Sequence, residues 1–231
     1  MRPTLLLFDV DGTLVTTGGA GRRALEQVFL ACFGREDACS FALDGMTDRA
    51  IVRAGLAAIG MTPTEKDIDS VLAEYVRILE KEVAKVDGSL YRLHAGIERA
   101  LDAASGFAGV ALGLGTGNIR EGARVKLSRV GIYQRFAFGG FGCDHEDRIE
   151  LLRCGVRRGA EHLGASPGEC RVVVIGDTPK DVAAAKGIEA ESIGVGTGHY
   201  SAAELRAAGA TAAFPDLSAP GALEALFAEA H

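Results

Sequence analysis

The sequence lacks several features that mark particular classes of protein. Its five cysteines are odd in number and scattered, and they form neither a CxxC pair nor the Cys/His spacing of a zinc site. No apolar run approaches the roughly 20 residues that a membrane helix needs, and the N-terminus shows no signal-peptide pattern. These absences argue against a zinc protein and a membrane protein, and they predict a cytoplasmic protein with reduced thiols.

Acidic residues outnumber basic residues in this chain of 231 residues. There are 25 Lys and Arg against 31 Asp and Glu, which gives a net charge of −6. This balance gives no reason to expect nucleic acid or an anionic membrane as a partner. The length suits one large domain or a core with a smaller insertion.

Three short apolar runs lack polar alternation and end in Asp or Thr: residues 4–9, 109–116 and 171–177. Such runs are typical of strands that are buried on both faces of a parallel sheet. Residues 121–131 and 149–164, between the second and third runs, have helical character. The alternation predicts a doubly wound α/β core with a mostly parallel sheet.

A long segment separates the first predicted strand from the second, far more than one crossover helix requires. Apolar residues recur at three- and four-residue intervals in 21–34 and 67–86, as on one face of a helix. We therefore expect a helical domain inserted after the first strand, with linkers rich in Gly, Ser and Asp. The expected boundaries are 1–15 and 91–231 for the core, 16–90 for the helical domain, and 15–21 and 86–94 for the linkers.

Asp9 and Asp11 follow the first predicted strand directly, in the string DVDGT. Asp and Gly after a strand can simply form a turn. A calcium loop would need Gly at its sixth position and Glu at its twelfth, but here Gly12 is fourth and Ala20 is twelfth. Two interpretations remain: a turn, or a nucleophile paired with an acid/base residue near a divalent cation.

A second acidic motif, GDTPKD, follows the third predicted strand. It predicts a helix N-terminus in which Thr178 is the N-cap, Pro179 is the first helical residue and Asp181 is the capping-box acid. This local role does not account for Asp177, an acid that lies outside the cap at the end of a strand. A hard cation would account for it, because Mg²⁺ takes oxygen ligands and usually only one or two carboxylates.

The string GLGTGN at 113–118 differs from the dinucleotide-binding pattern G-x-G-x-x-G, and no acidic residue follows at the expected distance. The string instead predicts a helix N-terminus with Asn118, the only asparagine, as N-cap and Glu121 as its capping-box partner. Thr116 and Gly117 lie just ahead of it. Free N–H groups at a helix N-terminus form a seat for a phosphate.

Several carboxylates and a phosphate at one site require positive charge. Two unit charges 4 Å apart repel by roughly 4 kcal/mol at an effective dielectric near 20, and Mg²⁺ and a lysine would offset this repulsion. We favour Lys126, which lies on the helix that follows Thr116. Lys180 lies near a helix start and is expected to face solvent. A purely surface Lys126 is the alternative.

In order, these motifs resemble the haloacid dehalogenase superfamily, and more narrowly its phosphoglycolate phosphatase type, which has a Rossmann-like core and a helical cap after the first strand. The resemblance covers the whole chain. It implies that Asp9 attacks phosphorus and becomes a phosphoaspartate, while Asp11 protonates the leaving alcohol and then deprotonates water. It also implies that Mg²⁺ is held by the Asp9 side chain, the Asp11 backbone carbonyl and Asp177.

The resemblance also implies roles for the other polar residues. Asp181 would orient a metal-bound water or Lys126. Many relatives carry a Lys-Pro pair after the third strand, whereas residues 142–151 contain no lysine, which favours Lys126 as the lysine of the motif. The transferring phosphoryl group would be bound by Thr116, the N–H of Gly117, Asn118 and Lys126.

Substrate choice would belong to the cap, where Arg22, Arg23 and Arg49 are candidates for binding a substrate carboxylate or second phosphate. We predict that Arg49 binds the substrate. The alternative for each of the three arginines is a position on a solvated face of a helix. The expected partner is a small phosphate ester, without nucleic acid or membrane. The chain is expected to be a monomer or a homodimer.

The sequence thus predicts an Mg²⁺-dependent phosphatase of a small phosphorylated metabolite, in which cap opening and closing gates the site. One alternative is a sugar-phosphate mutase of the β-phosphoglucomutase type. Such relatives typically carry a histidine in the first linker, and residues 15–21 have none. A non-catalytic metabolite-binding module is the second alternative, and a dinucleotide oxidoreductase is a distant third.

Overall fold

The structure, a computed structural model, describes residues 2–228. Its strands are β1 (Thr4–Phe8), β2 (Val15–Thr17), β3 (Tyr91–Leu93), β4 (Val110–Thr116), β5 (Phe138–Phe141), β6 (Arg171–Gly176), β7 (Glu191–Val195) and β8 (Ala212–Phe214). Its helices are α1 (Ala20–Phe33), α2 (Asp48–Ala58), α3 (Glu65–Lys85), α4 (Ile97–Ser105), α5 (Arg120–Ser128), α6 (Arg148–His162), α7 (Pro179–Gly187), α8 (Ala202–Ala207) and α9 (Ala222–Phe227). Within residues 2–228, no helix combines the length and the apolar character needed to cross a membrane.

Six of the strands form one sheet in the order β5-β4-β1-β6-β7-β8, and every pair in it is parallel. Side chains alternate between the two faces of a strand. In β1, Leu6 and Phe8 therefore pack with α4 and α5, whereas Leu5 and Leu7 pack with α6 and α7 on the opposite face. This double cover explains the continuous apolar run and confirms the predicted doubly wound α/β fold.

A helical cap is inserted between β2 and β3, and it has a hydrophobic core of its own. The stripe of α3 that packs in this core is the one expected from the sequence: Ile68, Leu72, Tyr75 and Leu79. The helix starts at a capping box, in which the Thr64 hydroxyl accepts from the Asp67 N–H and the Asp67 carboxylate accepts from the Thr64 N–H. The predicted inserted cap is confirmed, while its boundaries at 16 and 90 stay predictions.

The chain enters and leaves the cap through paired strands. β2 and β3 run antiparallel, with Thr17 opposite Tyr91. The expectation that 15–21 and 86–94 are loops is therefore only partly right. Two crossings that lie side by side can pair, and the β-branched Val and Thr residues of β2 favour extended backbone.

The edge strand β5 and the outer strands β7 and β8 had no counterpart among the strands expected from the sequence. β5 reads FGGF, which gives little β-propensity because glycine weakens a strand. Its glycines reflect close packing: a Cβ at Gly140 would overlap the Leu151 carbonyl of α6. The extended conformation of β5 therefore depends on the packing of α6 against the sheet rather than on the β-propensity of its residues.

Candidate active site

The polar residues of the sequence motifs meet at one edge of the sheet. β4, β1 and β6 are adjacent and parallel, so Thr116 at the end of β4, Asp9 after β1 and Asp177 after β6 lie side by side. A cavity of about 260 Å³ separates this edge from the cap. Six of the residues predicted for the site line it: Asp9, Asp11, Gly117, Asn118, Lys126 and Asp177.

Three buried carboxylates form the acidic side of the site. Asp9, Asp177 and Asp181 each place a carboxylate oxygen within 4.8 Å of the others. Burial raises the pKa of Asp177 to about 8, and repulsion from Asp9 and Asp181 adds to the shift. Burial also raises the pKa of Asp9 to about 6, although Arg148 opposes this shift. Because a cation would relieve the repulsion, this set of oxygen donors fits a divalent metal.

The Asp177 carboxylate packs against two glycines, Gly12 and Gly198, which leave room for it because they have no side chain. Thr13 Oγ1 donates a hydrogen bond to Asp177 Oδ1 at 2.9 Å. A Cβ at Gly12 or at Gly198 would overlap the same carboxylate, and the φ of +77° at Gly12 also favours glycine. These contacts hold Asp177 in one orientation, as a metal ligand requires.

Arg148 supplies positive charge to the acidic side. Its Nη2 lies 3.1 Å from Asp9 Oδ1 and 2.6 Å from Asp181 Oδ1, and 10% of the side chain is exposed. The contacts are short but poorly aligned for hydrogen bonds, so we treat them as ion pairs. Burial acts to lower the pKa of Arg148, but the two carboxylates outweigh burial and raise it. The guanidinium is therefore charged.

Sequence reasoning missed Arg148 because it searched for a lysine. Residues 142–151 contain no lysine, and Arg148 lies within that stretch. The expectation that Asp181 orients Lys126 is also wrong, since Asp181 Oδ1 meets Arg148. The other oxygen of Asp181 accepts from the backbone N–H and the hydroxyl of Thr178, which confirms the predicted capping box. The sequence signal that could have identified Arg148 is its position as a cationic residue at the start of the predicted helix that follows residues 142–147.

Lys126 is buried on the opposite side of the site. Its Nζ donates to Asp11 Oδ2 and to Asn118 Oδ1, each at 2.6 Å. Burial acts to lower the pKa of Lys126, but the carboxylates of Asp11 and Asp48 outweigh burial and hold the pKa above its ordinary value. Lys126 is therefore a charged residue inside the site, and the alternative of a surface lysine is wrong.

Asn118 does not cap the following helix as expected. The N-cap residue of α5 is Ile119, whose side chain cannot accept a hydrogen bond. Asn118 Nδ2 instead donates to Asp11 Oδ2 at 2.8 Å and to Thr116 Oγ1 at 3.0 Å. Asn118 Oδ1, the atom that would cap the helix, accepts from the charged ammonium of Lys126, and a bond to a charged donor is stronger than one to a neutral backbone N–H, which explains the change. Glu121, the expected capping partner, forms an ion pair on the surface of α5.

Arg49 does not line the cavity. Its guanidinium pairs with Glu65 and Asp69 at the start of α3. The nearby carboxylates of the cap already neutralise this arginine, so the structure gives no support to the expected contact with substrate, which stays a prediction. Arg23 is likewise paired, with Glu82.

Arg22 is the arginine of the three that lines the cavity. Its Nη1 and Nη2 donate to the carbonyl oxygens of Cys39 and Phe41, at 3.1 and 3.2 Å. Lys180 is exposed, as expected, and its Nζ also donates to the carbonyl oxygen of Asp44 in the cap at 2.8 Å. This bond joins the cap to the core close to the cavity.

Solved structures of similar fold cover almost the whole chain. CbbY from Rhodobacter sphaeroides in complex with phosphate is 21% identical, with a TM-score of 0.72, over 97% of this chain and 100% of that one. A predicted phosphoglycolate phosphatase from Haemophilus somnus is 15% identical, with a TM-score of 0.67, over 94% and 96%. β-Phosphoglucomutase from Clostridium difficile is 17% identical, with a TM-score of 0.67, over 93% and 91%. At these identities the likeness shows the fold.

No curated protein sequence matches the chain. A family model described as haloacid dehalogenase-like hydrolase matches residues 3–188. The matched range includes both acidic motifs and the loop that follows β4. The resemblance seen in the motifs is thereby confirmed, and the chain belongs to the haloacid dehalogenase-like hydrolase family.

Proposed function

We propose that the protein is a phosphatase that hydrolyses a small phosphorylated metabolite through a phosphoaspartate, with Mg²⁺ as cofactor. One observation carries the proposal: two aspartates share a cavity, and each has a buried cation beside it, Arg148 at Asp9 and Lys126 at Asp11. Phosphoryl transfer depends on in-line positioning and charge neutralisation more than on elaborate covalent chemistry. A cavity of about 260 Å³ suits a small ester.

Asp9 is the proposed nucleophile. One of its carboxylate oxygens forms a bond to phosphorus while the bond from phosphorus to the alcohol oxygen breaks. Burial and the ion pair with Arg148 limit the orientations of this carboxylate. Thr116, fully buried at the end of β4, lies next to it with Gly117 and Asn118, which together form the proposed phosphate-binding loop. The Ile119 N–H at the start of α5 is not free, contrary to the expectation, since it donates to Asp48, so the loop ahead of the helix is proposed to bind the phosphate.

Asp11 is the proposed acid/base residue. Lys126 and Asn118 both bond to its Oδ2, which leaves Oδ1 to exchange a proton. In the first half of the reaction, Asp11 gives a proton to the leaving alcohol oxygen. In the second half, it takes a proton from the water that attacks phosphorus, and inorganic phosphate and free Asp9 are released.

The proposed ligands of Mg²⁺ are the Asp9 carboxylate, the Asp177 carboxylate and the Asp11 backbone carbonyl. When bound, the ion supplies positive charge to the phosphoryl oxygens and to the crowded carboxylates. Asp181 is proposed not to bind the ion directly, because Arg148 and Thr178 already contact its two oxygens. The cytoplasmic location and the state as monomer or homodimer stay predictions.

Phosphate release from p-nitrophenyl phosphate, phosphoglycolate and sugar phosphates, measured with and without Mg²⁺, tests the proposal. We expect release to require Mg²⁺ and to fall by on the order of 10³-fold or more in Asp9→Asn. The ranking of the esters then identifies the class of substrate. Release by Asp9→Asn at the parent rate would refute the proposed nucleophile.

The same panel separates the alternatives. Conversion of a sugar phosphate to its isomer, without net release of phosphate, would identify a mutase. Saturable binding of an ester without turnover would identify a binding module. Either result would replace the phosphatase proposal.

A further inference from the structure

The cap contacts the core at the loop that holds Asn118. The backbone N–H of Asp48 donates to the Gly117 carbonyl at 2.8 Å, and the N–H of Ile119 donates to Asp48 Oδ2 at 2.8 Å. These two bonds lie on either side of Asn118. A Cβ at Gly117 would overlap the Met46 carbonyl oxygen, so the two backbones touch directly.

Asp48 belongs to the cap but serves a helix of the core. It is the first residue of α2, yet its carboxylate accepts from Ile119, the N-cap residue of α5. Since the Ile119 side chain has no acceptor, the start of α5 obtains a carboxylate from across the domain boundary. A negative charge at a helix N-terminus is favourable, and a capping acceptor satisfies an otherwise unpaired N–H group.

The contact between Asp48 and Ile119 is buried and excluded from water. Asp48 is 6% exposed, and burial raises its pKa to about 6, while Lys126 and the Ile119 N–H oppose the shift. A buried carboxylate and a buried N–H group are each unfavourable when unpaired. Cap closure and the bond between Asp48 and Ile119 therefore occur together.

Asn118 and Lys126 are the two side chains that hold Asp11, and both depend on this loop. Asn118 lies between the two residues that the cap binds, and Lys126 lies on the helix whose N-terminus Asp48 contacts. A shift of the loop would move both side chains relative to Asp11. A misplacement of about 1 Å at a reacting group can lower a rate about 10²-fold.

We propose that Asp48 is a positioning residue that couples cap closure to assembly of the acid/base site, by fixing Asn118 and Lys126 against Asp11. The inference rests on the proposed function, because it takes Asp11 as the acid/base residue. With the cap lifted, the loop loses its bonds to Asp48, so hydrolysis proceeds only beneath a closed cap. Closure then selects the bound ester as well as excluding water.

A second contact between cap and core offers a matched control. Arg53 of α2 pairs with Glu146 of the core, with Nη2 2.6 Å from Oε1. In the described part of the chain, neither side chain bonds to residues 116–119. Glu146→Gln thus removes a half-exposed ion pair between cap and core, which contributes little to docking, and it does not touch the loop. Asp48→Ala removes the acceptor for Ile119, and Asp48→Asn keeps an oxygen acceptor without the charge.

The side-chain amide of Asn118 reports on the loop without any need for activity. Asn118 is the only asparagine, and the chain has two glutamines, Gln27 and Gln134, so a ¹H–¹⁵N spectrum holds few side-chain NH₂ pairs. Loss of one pair in Asn118→Ala identifies the relevant signal. We expect Asp48→Ala to shift or broaden this signal, and Asp48→Asn and Glu146→Gln to leave it in place.

Kinetics with p-nitrophenyl phosphate and Mg²⁺ test the consequence for the reaction. We expect Asp48→Ala to lower kcat by roughly 10- to 100-fold and to lower KM along with it, because breakdown of the phosphoaspartate, which needs Asp11, limits turnover of this ester. Asp48→Asn should recover most of this loss, and Glu146→Gln should stay near the parent. In an Asn118→Ala background, Asp48→Ala should have a smaller effect than in the parent, because the route through Asn118 is already removed and only the route through Lys126 is left.

An unchanged Asn118 signal in Asp48→Ala would overturn the proposal, and so would an Asp48→Asn variant as impaired as Asp48→Ala. Additive losses in the double variant would also overturn it. If the parent releases no phosphate, the proposed function fails, and the Asn118 signal alone decides the positioning role. If Asp48→Ala does not fold, Asp48→Glu replaces it with the same expectation, since it keeps the charge but displaces the oxygen by one CH₂ group.

Discussion

The two sides of the active site hold their aspartates in different ways. On the side of Asp9, a buried guanidinium is shared with Asp181, and Asp177 adds a third carboxylate within 4.8 Å. On the side of Asp11, an ammonium and an amide hold one oxygen of a carboxylate whose side chain is 43% exposed. The first side is dry and crowded with negative charge, and the second is balanced and partly open.

The difference corresponds to two tasks. A nucleophile must keep one orientation and needs its charge countered, and a planar guanidinium placed against two carboxylates provides both. A residue that exchanges protons must reach the substrate oxygen and water, so one of its oxygens has to stay free. Each side should therefore fail in its own way when it is altered.

The largest expected effect separates Asp9 from Asp11. Asp9→Asn should form no phosphoenzyme, whereas Asp11→Asn should still be phosphorylated by p-nitrophenyl phosphate, because p-nitrophenolate leaves without a proton. Rapid mixing should therefore show a burst of p-nitrophenolate, in proportion to enzyme, only in the parent and Asp11→Asn. Steady-state kcat should fall on the order of 10³-fold in both variants. A burst in Asp9→Asn would contradict the assignment.

Removing the two cations should change stability unequally. Arg148→Met leaves Asp9 and Asp181 buried without their counter-charge, and breaking a buried ion pair costs roughly 3–5 kcal/mol. Lys126→Met leaves Asp11 partly hydrated, and the buried Asp48 keeps its bond to the Ile119 N–H, so we expect a smaller loss of roughly 1–2 kcal/mol. Urea unfolding in EDTA measures both free energies. Equal losses would show that the two sides do not differ in this respect.

pH and Mg²⁺ should act mainly through the acidic side. The pKa of Asp177 is about 8 in the fold against an ordinary 3.8, so between these values the folded protein keeps a proton that the unfolded chain has released. Metal-free stability should therefore fall as pH rises through this window, by up to about 1.4 kcal/mol per pH unit. Thermal unfolding in EDTA should show a falling Tm, and Asp177→Asn should flatten the trend.

Mg²⁺ should raise the parent's Tm more at the alkaline end of that window, because binding needs ionised carboxylates. Asp177→Asn should lose most of this gain. A metal-free Tm that rises with pH, or a gain from Mg²⁺ that survives in Asp177→Asn, would contradict the role of Asp177.

The smallest effects are expected from the cap arginines. Arg22 lines the cavity, whereas Arg49 is neutralised by its partners on α3. Arg22→Gln should raise KM for an ester with a second anionic group by roughly 3- to 10-fold, and Arg49→Gln should change it by less than about 2-fold. Steady-state kinetics with phosphoglycolate check both. A larger effect of Arg49→Gln would indicate that the cap rearranges when substrate binds.

Several site positions could be predicted because they follow from local patterns. Asp9, Thr116 and Asp177 each mark the end of a buried apolar run, and parallel strands bring those ends to one edge. The capping box of Thr178 and Asp181 is local as well, since its partners are three residues apart. The sequence pattern is sufficient to predict a residue's position where the interactions that determine it involve residues close in sequence.

Other roles could not be predicted because their cause is tertiary. Asn118 does not cap α5 because its side-chain oxygen accepts from Lys126 and its amide donates to Asp11. Asp48 reaches the N-terminus of α5 from another domain, and Arg148 meets two carboxylates from other elements. None of these contacts leaves a periodicity or a spacing in the sequence.

The paired strands that lead into the cap constrain how it can travel. Because β2 and β3 are bonded to each other, with Thr17 opposite Tyr91, the two chain crossings form a single ribbon rather than two independent tethers. A ribbon can twist and bend, but its strands keep their register and do not slide past one another. We therefore expect the cap to swing along a narrow arc, so that each closure would bring Asp48 back to the same N–H group.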